Sequence, residues 1–134
     1  MAKIIDIEGI GPAYAKKLID AGVSTTGRLL KVAAHSAGRK DLAKQAEVTT
    51  KQVLEWVNRA DLMRINGVGT QYSDLLEASG VDTVIELAQR NAQNLYEKMA
   101  EVNGAKSLVR ALPSPDKVAD WVAQAAKMPR VVSH

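Results

Sequence analysis

The sequence predicts an all-α protein made of tandem duplicated helical units, about eight to ten short helices in one compact body. Three observations carry this. Apolar residues recur at helical spacing, as in Tyr14, Leu18 and Ile19 and again in Leu29, Leu30 and Ala33, which puts them on one face of a 3.6-residue turn. No alternating apolar and polar stretch is long enough to argue a strand. The chain also matches itself. A slide of 58 residues pairs Gly9 with Gly67, Gly11 with Gly69, Tyr14 with Tyr72, Leu18 with Leu76, Gly22 with Gly80, Val23 with Val81, Thr25 with Thr83 and Leu29 with Leu87. So many chemically distinct types in register mark an internal repeat.

Taken in order, the elements follow from local signals. Pro12 suits a first helical position, and Gly22 stands where a left-handed stop ends the helix that Tyr14 and Leu18 define. Leu29, Leu30 and Ala33 mark the next helix, and Ser36 is the expected N-cap of one running through Leu42 to Ala46. Thr49 is a second cap, opening TTKQVLEWV (49–57). In the second copy Gly80 repeats the stop and Ser114 with Pro115 repeats a start. Here the register changes from 58 to 65, so that SPDKVADWV (114–122) meets TTKQVLEWV and Val118 and Trp121 pair with Val53 and Trp56. About seven extra residues therefore fall in the second copy, near NGAKSLVRALPSP. Each tryptophan sits in an amphipathic V-x-x-W-V pattern, the mark of a core anchor and not of a base-stacking platform. The copies meet around Ala60 and Asp61, giving a first repeat at 1–60, a second at 61–128 and a flexible tail at 129–134. The junction NRADLMRING has no proline or low-complexity linker, which points to a shared body.

Composition bounds the function. The chain has 134 residues, 46% hydrophobic and 25% charged, enough to bury a core and too apolar for disorder. It has no cysteine, so disulfides, thiolate metal sites and cysteine nucleophiles are excluded. No run approaches the eighteen apolar residues of a membrane span and the start lacks a signal-peptide pattern, so the expectation is a soluble cytoplasmic protein with no membrane partner. The net charge of +3 is unevenly placed. Residues 1–61 hold ten Lys and Arg against seven Asp and Glu, while residues 62–134 hold eight of each.

The most informative stretches are EGIGPAY (8–14) and NGVGTQY (66–72). Two glycines around one aliphatic residue let the chain reverse sharply, because both can take positive φ and the middle side chain can tuck inward. Amides at such a turn, together with the unpaired N–H groups of the helix that follows, make a small anion site, for which phosphate is the natural occupant. The turn carbonyls could instead hold a monovalent cation. The bland alternative is that the pattern is only a tight joint and that Lys16 and Lys17 are a solvated helix face.

IEGIGPAYAKKL resembles the helix-hairpin-helix motif of sequence-independent DNA-binding proteins, and INGVGTQYSDLL is similar at its glycines, Ile65 and Leu76. The whole chain, including GRKDLAKQAEVTTKQVLEWVNRADLMRINGVG and LLEASGVDTVIELAQR, resembles a family of small proteins with paired hairpins catalogued as domain of unknown function 4332. The resemblance implies that Gly9, Ile10 and Gly11 hold a phosphate on one DNA strand and Gly67, Val68 and Gly69 one on the other, with Lys16 and Lys17 beside the first. The second hairpin departs from this pattern. Asp74, Leu75 and Glu77 stand where basic residues would help, leaving Arg64, Thr70 and Gln71 as partial compensation.

An enzyme is not expected. His35 and His134 are isolated, with His35 read as an ordinary residue near a helix C-terminus. No GK[ST] ending follows the first glycines, no Gly/Pro-rich loop with a catalytic aspartate follows Gly22, and no ligand set implies a metal or cofactor. The leading expectation is weak, non-catalytic binding of double-stranded DNA, with no small-molecule substrate. The alternative is a protein–protein adaptor that presents the surface around Asp74, Glu77 and Glu86. Single-stranded nucleic acid is disfavoured by two Trp, three Tyr and no Phe.

Overall fold

Helix caps and glycine stops set the architecture. The computed structural model, which describes residues 2–134, is all-helical. After a 3-10 turn at Ile4–Asp6 come eight α-helices: α1 (Pro12–Asp20), α2 (Thr26–Ala33), α3 (Ser36–Ala46), α4 (Thr50–Leu62), α5 (Thr70–Ala78), α6 (Val84–Ala88), α7 (Ala92–Lys106) and α8 (Pro115–Lys127). Among the described residues extended pairing is limited to an isolated antiparallel bridge between Lys3 and Thr25. Where the sequence suggested a shared body, the chain divides into two compact units. The chain up to Asp61 together with Val131–His134 forms the first and Leu62–Arg130 the second.

In the first unit, Pro12 opens α1 at its first position with Gly11 as N-cap. The helix closes at Gly22, whose φ of 90° lets the amide of Val23 return to the Leu18 carbonyl at 2.8 Å. Thr25 caps α2 by accepting from the Arg28 amide at 3.1 Å. Thr49 caps α4 as expected, accepting from the Gln52 amide while the Gln52 side chain accepts from the Thr49 amide. Ser36 is not the cap of α3. It is the first helical residue, and His35 is the N-cap, in extended backbone outside the helix, with no side-chain cap bond. The His35 ring is engaged elsewhere, 2.7 Å from Ser133 Oγ. Leu18, Leu29, Ala33, Val53, Trp56 and Val57 are buried.

Part of the segment expected to be a flexible tail, 129–134, carries defined partners. Val132 is buried, the Ser133 amide donates to the Ala34 carbonyl at 2.9 Å, and His134 Nε2 lies 3.0 Å from Asn58 Oδ1. Arg39, only 6% exposed, donates from Nη1 to the carbonyls of Ala33 and Ala34 and from Nη2 to that of Ser133. Burial holds its guanidinium below the usual pKa.

The second unit likewise holds four helices, with α6 shorter than α2, α7 longer than α3, and α5 and α8 equal in length to α1 and α4. Gly69 caps α5, Gly80 closes it with a φ of 91°, and Thr83 caps α6. α8 packs against both α6 and α7. The core gathers Leu62, Ile65, Leu75, Leu76, Leu87, Leu95, Met99, Val118 and Trp121. The segment NGAKSLVRALPSP (103–115), where the sequence suggested extra residues, covers the end of α7, the stretch after it and the first residue of α8. There Asn103 pins the chain by donating to the Val109 carbonyl and accepting from the Val109 amide. Ser114 caps α8 with Pro115 in its first turn, as the sequence predicts.

Candidate nucleic-acid interface

The first hairpin is built by successive three-residue turns. The Ile7 amide donates to the Ile4 carbonyl and the Ile10 amide to that of Ile7, at 3.2 and 3.1 Å. Gly9 takes a φ of 91°, a left-handed conformation that an L side chain adopts only under strain. Ile10 then turns inward, 4% exposed. Gly11 differs from the expectation that both glycines need positive φ: it is extended, at −84°, because it serves as the N-cap of α1.

This geometry trims the site predicted from sequence. The Ile10 amide is already bonded within the molecule and cannot serve an anion. Among the described residues, the amides of Gly9 and Gly11 make no internal hydrogen bond. The first bond into α1 runs from the Ala15 amide to the Gly11 carbonyl, so the amides of Ala13 and Tyr14 join them as helix-terminal donors, Pro12 having none. Gly9 and Gly11 are both exposed.

Lys16 and Lys17 lie on the exposed side of α1. Lys16 Nζ is 3.0 Å from Asp20 Oδ2, an i,i+4 pair with the two side chains 78% and 64% exposed. Such a pair contributes about 0.5 kcal/mol or less and exchanges readily for another anion. Among the described residues Lys17 makes no ion pair.

The second hairpin has the same backbone. Val68 donates to the Ile65 carbonyl at 3.1 Å and is 5% exposed, Gly67 has a φ of 96°, and Gly69 is the extended cap of α5. Its surroundings are less favourable to an anion. Gln124 of α8 clamps the turn, accepting from the Asn66 amide at 2.9 Å and donating to the Asn66 carbonyl at 3.2 Å. Arg64, a candidate for compensation, donates from Nη2 to the Pro129 carbonyl. The Thr70 carbonyl accepts from the Ser73 hydroxyl. Asp74 and Glu77 are half-buried on α5, and the half-buried Glu86 takes part in the Thr83 cap of α6.

Each hairpin rests on an indole, which the sequence did not reveal. Trp56 packs on Tyr14 and Trp121 on Tyr72, with ring centroids 5.3 Å apart in both pairs. A Cβ on Gly9 would lie 3.8 Å from Trp56 Nε1, and one on Gly67 only 3.0 Å from Trp121 Nε1. Packing and turn conformation thus account for the first glycine of each pair whether or not an anion binds. Gln124 was equally hidden, since its clamp spans 58 residues of sequence.

Among the described residues no cluster of three or more His, Asp or Glu could hold a metal ion, and no helix is long and apolar enough to cross a membrane. The model of the family described as Domain of unknown function (DUF4332) matches residues 8–128. The chain belongs to that family, as the resemblance in its sequence had suggested. Neither the curated proteins nor the solved structures yield a match.

Proposed function

We propose that this DUF4332 member is a non-catalytic module that binds double-stranded DNA without reading its sequence, and that it consists of two copies of one helix-hairpin-helix unit of which the first makes the dominant contact. The observation that carries the reading is that, at the first hairpin, the Gly9 and Gly11 amides and the N-terminal amides of α1 have no internal partner, with two exposed lysines one turn further on. Unpaired amides at a helix N-terminus, with the helix dipole behind them, hold a phosphate oxygen, and Lys16 and Lys17 neutralise its neighbours. Such contacts position a protein on the backbone and carry no base specificity. The paired hairpins, matched in φ at Gly9 and Gly67 and again at Gly22 and Gly80, support the two-copy reading.

Few cations are engaged. Lys3, Lys16 and Lys17 serve the first hairpin, while Arg64 is committed to the Pro129 carbonyl. The logarithm of affinity should therefore fall with the logarithm of salt at a slope of about −3, with a micromolar or weaker Kd at physiological salt. Fluorescence anisotropy of a labelled duplex, run at several salt concentrations on the wild type and on Lys16→Glu/Lys17→Glu, tests this. The variant should lose most of the binding. Wild type that binds duplex no better at low salt than a neutral control protein refutes the DNA reading.

The adaptor reading keeps one supporting observation, an apolar hollow of about 390 Å3 beside the 3-10 turn, flanked by Ile5 and Ile19 at 46% and 51% exposure. It predicts partner association that persists at high salt.

A further inference from the structure

Positive charge in the first unit concentrates at a second place, which the hairpin reading does not use. α3 and α4 flank an open surface cavity of about 300 Å3 lined by Ser36, Arg39, Lys40, Thr50, Lys51 and Leu54. Three of these residues are cationic, two carry hydroxyls and none is a carboxylate. Lys40 and Lys51 are exposed, and among the described residues neither makes an ion pair. Arg39 is buried, and its three hydrogen bonds, at 3.2, 2.8 and 2.7 Å, all go to main-chain carbonyls. Carbonyl dipoles satisfy the donors of a guanidinium but leave its unit of charge uncancelled. That charge, set in protein and weakly screened, adds to the field of the two lysines across the cavity.

We propose that this cavity is an oxyanion site that takes a phosphate ester. The arrangement favours phosphate over carboxylate. A planar carboxylate is best gripped by the two-pronged fork of an arginine, and the fork of Arg39 is occupied by carbonyls. What remains is a pair of exposed lysines on two different helices, whose ammoniums are flexible point charges, and two hydroxyl residues, Ser36 and Thr50, in the same lining. That set suits the several oxygens and higher charge of a phosphate group. The volume leaves room for the group to which the phosphate is esterified. The source is a soluble phosphate compound or the backbone of a nucleic acid, and the site stands independently of the hairpin.

The test follows the amide resonances of Ser36, Thr50 and Lys51 in the full chain while inorganic phosphate is added and, separately, a short DNA duplex. Lys40→Gln/Lys51→Gln is the paired variant. Both lysines are exposed and glutamine keeps the helix propensity, so circular dichroism should be unchanged. The expected result is a saturable shift of these resonances that the double variant abolishes. A response to inorganic phosphate assigns the site to soluble phosphates. A response to duplex alone assigns it to the backbone, and the salt slope of duplex binding should then flatten by about 2 in the variant. If neither probe moves these resonances, or if the shifts survive in the double variant, the proposal is overturned. Gly9 and Gly11 report on the hairpin in the same spectra, so failure of one site is distinguishable from failure of the other.

Discussion

At Gly9 and Gly67 the backbone takes nearly the same positive φ, 91° and 96°, and the next residue, Ile10 or Val68, is buried with its amide bonded three residues back. Around this common frame the units diverge. The first carries Lys16 and Lys17 on the helix after the turn and a net charge of +3. The second carries Asp74 and Glu77 on its own, no net charge, and a glutamine bonded across the turn. A tight joint seated on a tryptophan is therefore needed in both units to build the fold, and it says nothing by itself about a ligand. Whether such a joint grips an anion is decided by the side chains around it.

The comparison can be tested at its shared foundation first. Trp56→Ala and Trp121→Ala should each cost about 3–5 kcal/mol, since both remove a buried indole that supports a hairpin. Urea denaturation checks this, and a loss below about 1 kcal/mol would refute the anchoring role. Next come the glycines. Gly67→Ala meets Trp121 Nε1 at 3.0 Å in addition to an unfavourable φ and should cost about 2–3 kcal/mol. Gly9→Ala, with 3.8 Å to spare, should cost about 1 kcal/mol from φ alone. Equal melting shifts for the two would mean that indole contact does not separate the hairpins.

A smaller effect, opposite in sign, is expected at position 79. Ser79 Oγ is buried and has no hydrogen-bond partner, while the matching residue of the first unit is Ala21. Ser79→Ala should be neutral or stabilise by about 1 kcal/mol, because an unpaired buried hydroxyl costs more than it contributes. A clear loss in thermal melting would show that the hydroxyl is satisfied in solution.

Much of the fold was legible because its signals are local. Pro12, Thr49 and Ser114 act within one turn of their helices, and Gly22 and Gly80 end theirs by a conformation that few other residues take. The tryptophans could be placed in the core from their amphipathic setting. What failed depends on distant partners. Ser36 looked like a cap because nothing in its neighbourhood shows that His35 turns to Ser133, and 129–134 looked like a loose tail because its binding groups, Ala34, Arg39 and Asn58, lie more than seventy residues away. At the site, the glycines and lysines were visible in the sequence. That the Ile10 amide is consumed and that Gly11 is an extended cap follow from the three-dimensional turn alone.

The most direct test of the difference between the hairpins is an amide titration of the full chain with a short DNA duplex at low salt. The Gly9 and Gly11 resonances should shift saturably and return as salt is raised, with Gly67 and Gly69 moving less and Lys16→Glu/Lys17→Glu suppressing the response. Glycine amides that stay fixed in the first hairpin, or that move no more than those of the second, would contradict it.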